Sequence, residues 1–224
     1  MKLSIIIPVY NEANTIITSL RQLQAYRSLG HEVIVVDGGS HDSTFDCAVG
    51  LADKLLMSKP GRAIQMNIGA EQATGDVLVF LHADTELPHL ANQLIIDTIN
   101  SNHQWGRFNV RLSGRHIAFR VIEAMMNWRS CVTGIATGDQ AIFVKRELFE
   151  QQGAYPEIKL MEDIELSKTL KAIGKPACIK QPVITSSRKW EQNGIIKTVL
   201  LMWRLRLQYF LGVSPDNLHV QYYR

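Results

Sequence analysis

Leu3-Ser4-Ile5-Ile6-Ile7-Pro8-Val9-Tyr10-Asn11-Glu12 opens the chain with a dense, largely β-branched apolar run that turns polar within three residues. Such a run reads as a strand buried on both faces, which belongs to parallel sheets covered by helices. The next segments repeat the theme. Residues 12–29 place Ile16, Leu20 and Leu23 at helical spacing and stop at Gly30. Residues 33–36 form a second buried strand that runs into Asp37-Gly38-Gly39-Ser40. A short helix over 42–51, a weak strand over 54–57, a helix over 61–74 closed by Gly75, a buried strand over 77–81 and a helix over 87–100 complete the first half. Strands that alternate with crossover helices predict an α/β fold with a mostly parallel, doubly wound sheet.

After residue 105 the rhythm changes. Residues 107–112 read as an exposed strand, 116–128 as an amphipathic helix, 141–144 as a strand, 163–173 as a helix and 194–211 as a long terminal helix. No internal repeat, low-complexity tract or linker divides the chain, so residues 1–224 are expected to form one domain. The terminal helix is expected to lay its apolar face on the second half of the sheet. Interfacial contact with a membrane is the second reading, since Lys197, Arg204 and Arg206 lie among Trp and Leu residues and argue against a bilayer span.

Composition narrows the class. With 46% hydrophobic residues among 224, a sizeable core is available. The formal charge of +3 comes without any dense Lys/Arg block, which argues against a nucleic-acid partner and suits a small anionic substrate. Three cysteines, Cys47, Cys131 and Cys178, stand apart with no CxxC pair, which predicts a reducing, cytoplasmic setting rather than a disulfide framework. The N-terminal run is too short for a signal peptide and ends at Pro8, and no uncharged apolar stretch reaches the length of a transmembrane helix.

In an open parallel sheet, ligands bind outside the carboxyl ends of the strands. Four strands here end in polar groups: Tyr10-Asn11-Glu12, Asp37-Gly38-Gly39-Ser40, His82-Ala83-Asp84 and Gly138-Asp139-Gln140. Asp37 can accept from a base N–H or a ribose hydroxyl, with Gly39 letting backbone approach, whereas Ser40 or Asp42 would serve to cap the helix before Phe45. Asp84, with His82 two residues earlier, can hold Mg²⁺ or Mn²⁺ against a diphosphate; the competing reading makes Asp84 or Thr85 an N-cap for a helix near Pro88. Glu162-Asp163 opens a helix, where carboxylates are favoured by the helix dipole and where one can also act as a general base. Arg188, Lys189 and Trp190 precede the last helix: the cations can clamp a leaving diphosphate and the indole can stack on a sugar, or the segment is a solvated helix start. Arg62, Gln65 and Asn67 sit on neighbouring turns of one helix.

These motifs resemble glycosyltransferase family 2, which has the GT-A fold, a Rossmann-like sheet flanked by helices. Pro8-Val9-Tyr10-Asn11-Glu12 is similar to its opening motif, and the nine residues from Val36 to Thr44 to its base-binding loop. His82-Ala83-Asp84 stands where the family has a DxD metal motif, with histidine in place of the first aspartate, and Glu162-Asp163 resembles its ED pair, whose aspartate is the catalytic base. Gly61-Arg62, Gln65-Met66-Asn67, Phe80-Leu81-His82-Ala83-Asp84-Thr85, Gly138-Asp139-Gln140 and the segment from Leu160 to Leu166 resemble, more narrowly, the radical-SAM-associated subgroup linked to arsenosugar biosynthesis. Arg188 and Trp190 resemble the Arg-Trp element of processive members at a different spacing, which argues against processive polymerisation.

The resemblance implies an inverting, metal-dependent transfer from a UDP- or GDP-linked sugar to an acceptor hydroxyl, the acceptor being a small molecule or lipid-linked. Residues 1–104 would bind the donor through Pro8, Tyr10, Glu12, Asp37, Gly39, Arg62, Gln65, Asn67, His82 and Ala83, with Asp84 on Mn²⁺ or Mg²⁺ and Arg188 on the diphosphate. Residues 105–224 would complete the site, with Asp139, Gln140, Glu162 and Trp190 facing the acceptor and Asp163 as base. Peripheral contact at the inner membrane face goes with a lipid-linked acceptor. A nucleotidyltransferase is the first alternative, but the loop after the first strand has neither glycine nor cation to hold a triphosphate. A non-catalytic nucleotide-sugar sensor is the second, and Asp163 speaks against it.

Overall fold

The computed structural model describes residues 1–223. Its first half follows the alternation closely. Strands β1 (Leu3–Val9), β2 (Glu32–Asp37), β3 (Lys54–Met57) and β4 (Val77–Phe80) are parallel, and lie side by side in the order β3-β2-β1-β4. Helices α1 (Ile16–Ser28), α2 (Thr44–Ala48) and α3 (Arg62–Glu71) connect the strands. Alternate residues of one strand feed two cores, as the pleat requires. Ile5, Ile7, Val33 and Val35 meet Ile16, Leu20 and Leu23 of α1, while Ile6, Ile34 and Val36 meet Ala63, Met66 and Ala70 of α3. Each such Ile or Leu, removed from water, contributes about 1.5–3 kcal/mol. Gly69 permits the close approach of α3, because a Cβ there would collide with Ile6 Cγ2.

The second half comprises β5 (Thr85–Glu86), α4 (Ala91–Asn100), β6 (Trp105–Leu112), α5 (Ile117–Thr133), β7 (Phe143–Lys145), α6 (Arg146–Gln151), α7 (Glu162–Ile173), β8 (Ala177–Thr185), α8 (Arg188–Asn193), α9 (Ile195–Phe210) and α10 (Pro215–Tyr222). They extend the sheet to eight strands, β3-β2-β1-β4-β7-β6-β8-β5. Strand β7 runs antiparallel to both β4 and β6, so the mostly parallel pattern is confined to the first half and to the β6–β8 pair.

Two expectations do not hold, and one strand had no expectation at all. The strand over 107–112 is not exposed: Phe108, Val110 and Leu112 are buried, and so is Arg107, whose guanidinium donates to the Phe108 and Asn127 carbonyls. The alternating polar residues concealed a strand covered by α5. Residues 177–185, unassigned from sequence, form β8, whose register slips from Phe108↔Ile179 to Asn109↔Pro182 so that Lys180 and Gln181 bulge out and break the periodicity. The terminal helix α9 does not cover the sheet: Thr198 and Leu205 are its buried residues, whereas Ile196 is 76% and Phe210 81% exposed. Among the described residues no helix is long and apolar enough to cross a membrane.

Candidate functional site

The carboxyl ends of β1, β2 and β4 meet the start of α7 along one edge of the sheet, and two interlocked loops build its left wall. Ser40 Oγ accepts from the Asn11 N–H (2.9 Å), Asn11 Oδ1 from His41 N–H (2.9 Å), and Thr44 Oγ1 from Glu12 N–H (2.7 Å). Asp42 accepts from Thr44 N–H (3.0 Å) and from Ala13 N–H (3.2 Å), so it does tie down the entry to α2. Asp37 closes β2, is 1% exposed and accepts the Ser40 N–H at 2.7 Å, which shapes the Gly38-Gly39 turn. Tyr10 sits on the rim, half exposed and edge-on to His41, and Pro8 backs it from β1.

Two of the candidate donor contacts prove to be struts. Gln65 is buried and its amide donates to the carbonyls of Val9 (2.8 Å) and Val36 (2.9 Å), which binds the ends of β1 and β2 together. Asn67 exchanges two hydrogen bonds with the Tyr155 backbone (2.9 and 3.0 Å). Both side chains are used within the fold: the buried Gln65 amide must find partners where it lies, and the partly buried Asn67 amide is paired with the Tyr155 backbone. Gln140 is the third such case: fully buried, it accepts from Thr137 N–H (3.2 Å) in a capping box and faces Asn127 (3.4 Å), which takes it away from any acceptor.

The centre of the edge is more open. The segment from His82 to Asp84 turns through a Thr85 N–H to His82 carbonyl bond, with Ala83 buried beneath it. Asp84 does not cap a helix, since α4 begins at Ala91 behind Leu90 in a left-handed conformation. Its carboxylate takes only a long contact (3.5 Å) from Thr85, while its carbonyl accepts the Ser186 N–H at 3.2 Å and brings the Arg188 segment alongside. His82 is wedged between Gly138, against which its Nε2 is buried without a hydrogen bond, and Asp139, 3.7 Å from its Nδ1. Burial, and then the charge of Arg62, push its imidazole down to about 4, so it is neutral near pH 7.

Asp163 is fixed by backbone. Gly138 N–H donates to Oδ2 (3.0 Å) and Ile164 N–H to Oδ1 (2.8 Å). Its neighbour Glu162 turns inward instead: 2% exposed, it pairs with Arg62 at 3.1 Å, and burial pushes its carboxyl upward. Glu162 is therefore placed to hold Arg62 rather than to face an acceptor. Arg188 is exposed and stands 4.0 Å from Glu12, and Trp190 is half-buried behind it. Tyr222 lacked a sequence signal. The C-terminal α10 folds back so that the Lys189 ammonium lies 3.4 Å from the Tyr222 ring centre, and Tyr222 is near enough to Arg62 and Asp139 to feel their charges.

Among the described residues, no three His, Cys, Asp or Glu side chains gather as a ready-made cation site. The Asp84 carboxylate, with no more than a 3.5 Å contact from Thr85, is the group of this turn that could join substrate phosphates and water around Mg²⁺ or Mn²⁺. His82 Nε2 faces Gly138 and is not turned toward such an ion.

Residues 4–143, more than half the chain, match the family described as Glycosyl transferase family 2. An undecaprenyl-phosphate 4-deoxy-4-formamido-L-arabinose transferase of Pseudomonas fluorescens is 32% identical over 126 residues, 47% of this chain and 37% of that one. A dolichol-phosphate mannosyltransferase of Pyrococcus furiosus is 27% identical over 135 residues, 57% of this chain and 36% of that one. The matched region thus spans well under half the length of these curated relatives. In structure, the mannosyltransferase PcManGT from Pyrobaculum calidifontis, in complex with GDP-Man and Mn²⁺, superposes with a TM-score of 0.61 at 23% identity, covering 83% of this chain and 56% of that one. Residues 1–349 of S. aureus TarS with UDP-GlcNAc give 0.64 at 18%, covering 83% and 58%. The GT-A fold and the matched span agree, and the chain belongs to glycosyl transferase family 2.

Proposed function

We propose that the chain is an inverting glycosyltransferase that moves a sugar from a UDP- or GDP-linked donor to an acceptor hydroxyl, with Mn²⁺ or Mg²⁺. The observation that carries this reading is the backbone-oriented Asp163 carboxylate, set on the same sheet edge as Asp37 and Asp84. Asp37, at the end of β2, receives the nucleoside; residues 1–104 form the donor half and 105–224 the acceptor half. Arg188 and Lys189 stand where they can meet charge on the leaving diphosphate, an arrangement that favours the transition state over the ground state. Asp84 would hold the divalent ion, which when bound would supply Lewis-acid stabilisation of that same charge. Asp163 takes the acceptor's proton as its oxygen attacks the anomeric carbon from the face opposite the leaving group, and one positioned base suffices for a single displacement. The family 2 match and the Mn²⁺-bound structural neighbour support this reading.

The acceptor is proposed to be presented at a membrane surface. Ile117, Val121, Met125, Trp128 and Val132 form one exposed stripe along α5, and Ile196, Leu200, Trp203, Leu207 and Phe210 another along α9, with Lys197 and Arg204 beside it to meet an anionic bilayer. Curated relatives named for undecaprenyl and dolichol phosphates point the same way, while the narrower radical-SAM-associated resemblance would make the acceptor an arsenosugar precursor. The test is release of UDP or GDP from a panel of nucleotide sugars, with and without candidate acceptors and EDTA. Acceptor-stimulated, EDTA-sensitive release is expected, and release of pyrophosphate instead would refute the reading.

A further inference from the structure

Arg129 and Arg206 are each near enough to Asp163 to feel its charge, and among the described residues neither forms an ion pair. Arg129 lies in the last turns of α5 and Arg206 in the second half of α9. Both helices are anchored on α7, the helix that carries Asp163. Ala136 N–H, just beyond α5, donates to Ser167 Oγ at 3.1 Å, and the Tyr209 hydroxyl of α9 donates to Glu165. Arg206 precedes Tyr209 by three residues and so shares its face of the helix. The hydrogen bonds of Ala136 and Tyr209 hold the end of α5 and the end of α9 against α7, the helix that carries Asp163. The proximity of the two cations is felt in their titration: burial, then the charge of Arg206, push Arg129 down to about 10, and burial also lowers Arg206, while the Asp163 carboxylate opposes both shifts.

Among the described residues, no carboxylate lies within the 4.0 Å of an ion pair from either group. Arg129 Nη1 is moreover buried with no hydrogen-bond partner. A buried donor without an acceptor is unfavourable, and a second cation nearby makes it more so. Simple neutralisation of Asp163 would have produced a direct pair. An incoming anion instead satisfies both guanidiniums at once, through the planar donor array that suits phosphate.

We propose that Arg129 and Arg206 are the anion subsite of the acceptor, taking a phosphate monoester that the acceptor carries and setting it beside Asp163. This rests on the glycosyltransferase reading for the word acceptor, but not for the anion. The phosphate can come from a lipid or from a soluble metabolite. Exposed Trp128 and Leu207, adjacent in sequence to the two arginines, offer apolar surface to a lipid chain.

The test is calorimetric titration of the full chain with octyl phosphate, below its micelle concentration, and with inorganic phosphate. UDP and GDP are titrated separately with Mg²⁺. Arg129→Gln/Arg206→Gln should weaken octyl phosphate at least about tenfold, the loss expected when charge-assisted hydrogen bonds are removed. Nucleotide binding should stay within about twofold, and Arg129→Lys/Arg206→Lys, which keeps the charges, should retain most of the phosphate affinity. Asp163→Asn should tighten phosphate binding a few-fold by removing a nearby negative charge, a response that a purely structural pair would not show. Octyl phosphate binding well above inorganic phosphate assigns a lipid source; equal binding assigns a soluble one. Unchanged phosphate affinity in the double Gln variant, or no binding of either probe by the wild-type chain, overturns the proposal. If phosphate binds through the arginines but neither nucleotide binds at all, the glycosyltransferase reading fails and the subsite stands.

Discussion

Gly138→Ala tests the packing that joins His82 to the candidate base. The backbone at Gly138 is not in the left-handed region, so alanine is conformationally allowed and any effect is steric. A Cβ there would stand 2.5 Å from His82 Nε2 and 2.8 Å from its Cε1. That is about 1 Å inside the usual optimum for non-bonded heavy atoms. The imidazole cannot retreat into solvent easily, since its side chain is only 18% exposed and wedged between Gly138 and Asp139. Either the ring or the turn Gly138–Gln140 must shift, at a cost of about 1–3 kcal/mol for overpacking. If the turn moves, the 3.0 Å bond from Gly138 N–H to Asp163 stretches, and transfer should fall more than donor binding. Urea unfolding should show a lower midpoint at unchanged slope. Combining the substitution with His82→Ala should recover about 1–3 kcal/mol as a coupling energy, because the two sites are in contact. A Gly138→Ala protein as stable as wild type, or a strictly additive double variant, would refute this packing of the site.

Asp163→Asn should lower turnover by about a hundredfold to ten-thousandfold while UDP or GDP affinity changes little, as measured by initial rates and calorimetry; near-normal turnover would remove Asp163 as the base. Asp84→Ala should abolish the EDTA sensitivity of nucleotide-diphosphate binding, whereas wild-type binding that ignores EDTA would discard the metal. His82 titrates near 4 in the fold against an ordinary 6.5, so the unfolded chain binds more protons between those values. Its contribution is complete above pH 6.5 and declines as pH falls toward 4, by at most about 3 kcal/mol. A His82→Gln variant should therefore show a shallower loss of stability over that window in denaturant titrations, and parallel curves would contradict burial of a neutral imidazole. Trp203→Ser/Phe210→Ser should reduce salt-sensitive flotation with anionic vesicles without lowering the unfolding midpoint, because both side chains are exposed.

Strands β1, β2 and β4 and the helices between them were legible in the sequence because those strands are buried on both faces, so their residues are largely apolar and their ends are marked where polarity begins, while the half-exposed β3 gave only a weak signal. The same physics placed Asp37 and Asp84 on one edge, since a parallel sheet gathers strand ends on a single side, whereas Asp163 opens α7 and is tied there by the Gly138 N–H. Beyond residue 105 the pattern failed for local reasons: Arg107 is buried but charged, and the Lys180-Gln181 bulge interrupts β8. The apolar stripe of α9 was visible, but which side of it meets protein was not, because amphipathicity reports a face and not its partner. Which polar side chains are left for a ligand was likewise decided only by tertiary structure. Gln65, Asn67, Gln140 and Glu162 have the chemistry of a binding site, yet folding turns their hydrogen-bonding groups onto Val9, Val36, Tyr155, Thr137 and Arg62. Arg129 and Arg206, 77 residues apart in the chain and unremarkable in it, come near enough to feel each other's charge, with no ion-pair partner among the described residues. Residue type and spacing specify what a side chain can bond; the partners that reach it first are set by contacts between segments distant in sequence, and those exist only once the chain has folded.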